Sequence, residues 1–126
     1  MRKLLIVDDS EDLLEVLEYF LVKKGYHVTT LSHAGKVIET VKAVQPDLII
    51  LDVFIGGKDG REVCRLLRAN ILTKYLCIML FSASPEAIKS FDQYGADGCI
   101  EKPFALTDII EKIEGVFDKC KGYKYN

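Results

Sequence analysis

The chain has no tryptophan, and only two histidines, two methionines and three prolines among its 126 residues. His27 and His33 have neither metal-ligand nor triad spacing, so chemistry built on histidine has no foothold here. No charge sign is in excess: 17 Lys plus Arg stand against 19 Asp plus Glu, a formal net charge of −2. That removes the broad positive field with which a domain holds nucleic acid. Long hydrophobic runs are missing as well. The longest, Leu76 to Phe81, falls far short of the ~20 residues that span a bilayer. Arg2 and Lys3 precede only Leu4 to Val7 before Asp8 and Asp9 interrupt, so a secretory signal fails for want of an apolar core region. The four cysteines, Cys64, Cys77, Cys99 and Cys120, lie 13, 22 and 21 positions apart with no CxxC pair. That spacing predicts neither a zinc site nor a disulfide framework. Each thiol reads as a small apolar packing residue in a reducing cytosol. The expected setting is cytoplasmic, with no membrane and no nucleic acid as partner of this chain.

What is present is a globular balance of 49% hydrophobic and 29% charged residues. A chain of this length makes one domain and buries about two thirds of its unfolded surface. Short apolar runs rich in β-branched residues alternate with longer segments of helical spacing. The runs are Leu4 to Val7, Val28 to Leu31, Leu48 to Leu51, Leu76 to Phe81 and a weaker one at Cys99 and Ile100. Between them lie five stripes: Leu13, Leu17, Phe20 and Leu21; Val37, Val41 and Val44; Val63, Leu66 and Leu67; Ile88 and Phe91; then Ile109, Ile113, Val116 and Phe117. Gly25 and Gly95 read as helix ends, Pro46 as a stop, and Ser84 with Pro85 as an N-cap and first turn. Strands joined by helices of this length run parallel through right-handed crossovers. The pattern predicts a doubly wound α/β domain over residues 1–120 and a polar tail over 121–126. Met1, with almost no leader, reads as a natural N-terminus.

In an open parallel sheet, ligands bind beyond the carboxyl ends of the strands. The first run is followed by Asp8 and Asp9, the third by Asp52, the fourth by Ser82, and the fifth leads into Lys102. Each has a plain alternative when taken singly: Asp8 and Asp9 as charges at a helix start near Ser10, Ser82 as a turn hydroxyl, Lys102 as a solvated lysine. Their joint placement points to a site. Three converging carboxylates repel one another unless a cation joins them, and Mg²⁺ suits a carboxylate set that leaves room for phosphate oxygens. A carboxylate in that setting is a nucleophile toward phosphorus, with an ammonium and a hydroxyl to hold the phosphoryl oxygens.

These residues resemble the receiver domain of bacterial two-component response regulators, of the single-domain, chemotaxis-regulator kind. The resemblance runs from Leu4 to about Lys119. It rests on Leu5-Ile6-Val7-Asp8-Asp9-Ser10, Asp47-Leu48-Ile49-Ile50-Leu51-Asp52, Lys58-Asp59-Gly60, Ser82-Ala83, Gly95-Ala96-Asp97-Gly98 and Lys102-Pro103-Phe104. It implies a five-stranded flavodoxin-like sheet of order 2-1-3-4-5 with helices on both faces. It further implies that Asp52 takes a phosphoryl group from a sensor histidine kinase or phosphotransfer protein. Asp9, Asp52 and the backbone carbonyl of Phe54 would hold Mg²⁺, with Asp8 acting through water. Ser82 and Lys102 would bind the phosphoryl group and, by shifting, remodel the face of helix 4, strand 5 and helix 5 for a downstream protein or a second copy. Pro103 would follow a cis peptide.

Cys99 stands where the family usually has a switching aromatic residue. Phe54 and Ser84 occupy the positions that tune phosphoryl lifetime, and Gly56 replaces a frequent proline, which predicts a looser loop. Two other readings share the carboxylates: a docking module that is never phosphorylated, and a Mg²⁺-dependent phosphatase with an aspartate nucleophile. The phosphatase needs a general acid two residues after the nucleophile, where Phe54 stands.

Overall fold

A computed structural model describes residues 2–124, with side chains described as far as Cys120. Five strands, β1 (Lys3–Val7), β2 (His27–Leu31), β3 (Leu48–Asp52), β4 (Cys77–Ser82) and β5 (Gly98–Glu101), form one sheet. Their spatial order is β2-β1-β3-β4-β5 and every pairing is parallel. The expected order is therefore the observed one. Because β1 and β3 are neighbours, with Val7 in register with Leu51, the residues that follow them meet at one edge.

Five helices cover the sheet: α1 (Glu11–Lys23), α2 (Val37–Val44), α3 (Gly60–Ala69), α4 (Pro85–Ile88) and α5 (Leu106–Lys124). Strand side chains alternate between the two faces. Leu4, Ile6, Leu48, Ile50, Met79 and Phe81 point toward α1 and α5. Leu5, Val7, Ile49, Leu51, Ile78 and Leu80 point toward α2, α3 and α4. The central strands are buried on both sides, as their unbroken apolar runs require. Among the described residues, no helix is long and apolar enough to cross a membrane.

Local signals place most element ends. Ser10 caps α1, its hydroxyl accepting the Leu13 amide, and Ser84 caps α4 ahead of Pro85, accepting from Ala87. Gly25 and Gly95 take the left-handed φ of +99° and +92° just past their helices. Gln45 ends α2 in the same conformation, and Pro46 follows.

Four expectations are corrected. The stripe of Ile88 and Phe91 does not ride on one helix: α4 has four residues, and Phe91–Tyr94 forms a separate 3₁₀ turn closed by Gly95. The Ala87-Ile88 pair alone supplies the buried face of α4, so a single turn satisfies the packing. Leu66, read as core, faces outward and is largely exposed, because α3 buries Val63, Cys64 and Leu67 instead. The stretch read as a polar tail begins as helix, since α5 runs to Lys124, while residues 125–126 lie outside the described ones. Lastly, Cys77 and Cys120 are not two separate packing thiols but one disulfide across 43 residues. Helix α5 returns over the sheet and sets Cys120 above the first residue of β4, a proximity that no sequence spacing announces. Closing a loop of that size stabilises a fold by about 4 kcal/mol on the chain-entropy account. Cys64 and Cys99 are free thiols, and Cys64 fills the core as expected.

Candidate functional site

The carboxyl edge of the sheet gathers the groups that the sequence singled out. Asp8 and Asp9 follow β1, Asp52 closes β3, Ser82 closes β4, and Lys102 lies just past β5. Asp8, Asp9 and Asp52 converge so that one carboxylate oxygen of each lies within 4.8 Å of the others. Asp8 and Asp52 are 1% and 5% exposed, while Asp9 faces solvent. Lys102 reaches into the group, its Nζ donating to Asp8 Oδ2 at 2.6 Å and standing 3.6 Å from Asp52 Oδ2. The same ammonium lies 4.5 Å from the centroid of the Phe81 ring, a cation–π contact that adds to its placement. One ammonium thus faces three carboxylates.

The electrostatics follow from that imbalance. Burial, and then the neighbouring Asp8, push the Asp52 carboxyl up to about 6 from 3.8; Lys102 and the Phe54 amide, which donates to it, pull the other way. A hard cation answers an excess of carboxylate in a partly dry cleft, and the donor set is all oxygen. The residues present therefore fit Mg²⁺. Asp9, Asp52 and the Phe54 carbonyl would hold it, with Asp8 behind, already accepting the Ser10 amide at 2.8 Å.

The remaining candidates frame the cleft. Ser82 is 1% exposed, and its Oγ accepts the Ser84 amide at 3.1 Å, which leaves its hydroxyl proton available. The Lys102–Pro103 peptide is cis, as the resemblance implies. Phe54 projects outward beside Asp52, 54% exposed. Cys99 is half-buried on β5 against the α2–α4 side of the core, away from the carboxylates.

Sequence reasoning missed two contributors. The loop after β3 is not loose: Phe54–Ile55 and Lys58–Asp59 form a small antiparallel hairpin with Gly56 and Gly57 at its turn. Both glycines have positive φ, the requirement of a tight two-residue turn. The Gly56 amide donates to Asp9 Oδ2 at 3.1 Å, a bond that proline could not make. The Gly56-Gly57 pair was the available signal. Gly60 stands in the Lys58-Asp59-Gly60 motif, and it is buried against the main chain of Asp52.

The sequence profile of the response regulator receiver domain matches residues 4–114. The chain belongs to the response regulator receiver family. Among solved structures, this receiver is similar to a putative response regulator from Chloroflexus aurantiacus, at 28% identity and a TM-score of 0.86 over 93% of this chain and 98% of that one. It is similar to the chemotaxis protein CheY4 of Vibrio cholerae, at 27% identity and a TM-score of 0.84 over 92% and 98%. It also shares its fold with a segment of NtrX from Brucella abortus, at 24% identity and a TM-score of 0.88; there it covers 98% of its own length and 29% of the other chain.

Proposed function

We propose that this receiver is a phosphorylation-driven switch in which Asp52 accepts a phosphoryl group from the phosphohistidine of a sensor kinase or phosphotransfer protein. One observation carries the reading. Asp52 is a nearly buried carboxylate set between an acidic pair and an ammonium at the open edge of a parallel sheet. A carboxylate oxygen of Asp52 attacks phosphorus, the P–N bond to the donor imidazole breaks, and the electron pair leaves on that nitrogen. Mg²⁺, when bound, supplies charge neutralisation at the phosphoryl oxygens. Lys102 exchanges its contact with Asp8 for one with the phosphoryl group, and the Ser82 hydroxyl donates to it.

Those two shifts act on β4 and β5, the strands beneath α4 and α5. The output of the switch is accordingly a changed α4–β5–α5 surface, read by a downstream protein or by a second copy. Receivers are signalling domains rather than enzymes that turn over a substrate, and we place this one in the cytoplasm, where such donors reside. Cys99 gives the switch a small side chain where an aromatic residue is usual, so Ser82 and Lys102 carry the coupling.

The test is intact mass after incubation with a small-molecule phosphodonor. Wild type is expected to gain a single phosphoryl adduct that requires Mg²⁺, and Asp52→Asn is expected to gain none. An adduct that persists in Asp52→Asn would remove the assignment. No adduct on folded wild type would favour a docking module, and sustained phosphate release would favour a phosphatase.

Phe54 offers a second prediction. Its exposed ring stands beside the phosphoacceptor and hinders water on its way to the phosphorus. Phe54→Asn is expected to shorten the adduct's half-life several-fold, followed by the decay of the phosphorylated mass. An unchanged half-life would show that the ring does not screen the phosphoryl group.

A further inference from the structure

The Cys77–Cys120 bond stands outside the carboxylate site and has no part in the proposed chemistry. Both residues are buried, at 0% and 3% exposure, and their Cα atoms are 6.0 Å apart. Cys77 opens β4, whose other end is Ser82, and Cys120 lies near the end of α5, which follows Lys102 and Pro103. The segment that the bond encloses, with its ends 43 positions apart, holds Ser82, α4, β5, Lys102 and most of α5. Every element that would move on phosphorylation lies inside this loop. Asp8, Asp9 and Asp52 lie outside it.

The pair is also held by polar ties at the same place. Asp97 has a carboxylate oxygen within 4.8 Å of both sulfurs. Its Oδ2 accepts the Ile78 amide at 2.9 Å and the Arg68 guanidinium at 2.7 Å. Its backbone carbonyl accepts Lys119 Nζ at 3.1 Å, one residue before Cys120. Arg68 offsets the charge of the Asp97 carboxylate, which would otherwise oppose a thiolate beside it. With the bond open, Lys119 and the apolar contacts of Val116 and Phe117 would still seat α5. The cross-link therefore limits α5 rather than creating its position.

Building on the proposed function, we infer that Cys77 and Cys120 form a reversible thiol–disulfide modification site that sets how far the phosphoryl signal reaches α5. The oxidant is a low-molecular-weight disulfide. The Cys120 thiolate attacks one of its sulfurs, forming a mixed disulfide and expelling one small thiol. The Cys77 thiolate then attacks Cys120 Sγ and expels the second. Two electrons pass from the protein pair to the small disulfide, and the two protons released by the cysteines end on the two small thiols. Cys120 attacks first, when the end of α5 lifts, because only the packing of that helix buries it, whereas Cys77 sits within the sheet.

The experiment uses the full chain, oxidised with glutathione disulfide or reduced with dithiothreitol under native conditions. Alkylation after denaturation is expected to count two thiols in the oxidised form, as Cys64 and Cys99 are free, and four in the reduced form. Hydrogen exchange over Leu106–Cys120 is expected to be at least about fivefold faster in the reduced form, with far-UV dichroism retained. On adding phosphodonor and Mg²⁺, both forms are expected to gain the Asp52 adduct equally. The change in α5 exchange should be at most half as large in the oxidised form, and Cys120→Ser should match the reduced form under either treatment. Three results would overturn the inference: a bond that opens only after unfolding, a fold lost on reduction, or α5 exchange that is the same in both forms. If Asp52 gains no adduct, the proposed function fails on that result, while thiol count and α5 exchange without phosphodonor still judge this site.

Discussion

Replacing Asp52 by Asn is expected to make the metal-free protein more stable at pH 7.5, by about 2 kcal/mol, although it removes the proposed phosphoacceptor. The reason is the price of holding that carboxylate ionised in place. Its pKa rises from 3.8 to about 6 in the folded protein, chiefly by burial and by the charge of Asp8. The folded state then binds the proton more tightly than the unfolded chain. Stability that depends on this group is present below the unfolded value and falls as pH climbs through about 4 to 6. The shift corresponds to about 3 kcal/mol by linkage, reduced here because the cleft is open to water through Asp9. Asparagine carries no charge at any of these pH values, and Lys102 keeps Asp8 as its 2.6 Å partner. Urea unfolding of both proteins in chelator is expected to show the gap at pH 7.5 and to close it near pH 4. A gap independent of pH would mean that Asp52 is not the strained ion. Added Mg²⁺ is expected to stabilise wild type more than Asp52→Asn, reversing the order.

The residues of the site were legible because they are punctuation. A charged group that ends an apolar strand is visible in the sequence, and parallel topology sends all strand ends to the same edge. Asp8, Asp9, Asp52, Ser82 and Lys102 can therefore be gathered from the sequence alone. The sheet order followed from the resemblance, since alternation of runs and stripes gives parallel strands without their sequence across the sheet. Ties between distant elements were not legible. Cys77 meets Cys120, and Tyr26 meets Glu114 across 88 residues, only because α5 packs back over the sheet. Helix length was hidden for a related reason: Ile88 and Phe91 have helical spacing, but a four-residue helix and a 3₁₀ turn also place both toward the core. The hairpin at Phe54–Asp59 was overlooked because its strands are two residues long, too short for any period to show.

Gly60→Ala is the substitution expected to cost most among the glycines. A Cβ built there would lie 1.9 Å from the Asp52 carbonyl oxygen and 2.9 Å from its carbonyl carbon. No flexible side chain is available to move aside, since the obstacle is the main chain of β3. Gly60 opens α3, and its amide donates to the Val53 carbonyl at 2.6 Å, so the helix start is stitched to the residue after Asp52. Alanine must push α3 outward or displace β3, breaking that bond and opening the packing of Val63, Cys64 and Leu67. The expected loss is about 3 kcal/mol in chemical unfolding. Phosphoryl transfer should slow as well, because the displaced segment carries Asp52 and the Phe54 carbonyl. Gly115→Ala supplies the contrast: it lies within α5 with nothing inside 4 Å of a built Cβ, so helix propensity alone acts and a gain of up to about 1 kcal/mol is expected. A Gly60→Ala protein within about 1 kcal/mol of wild type would show that the start of α3 is not seated on the strand that carries Asp52.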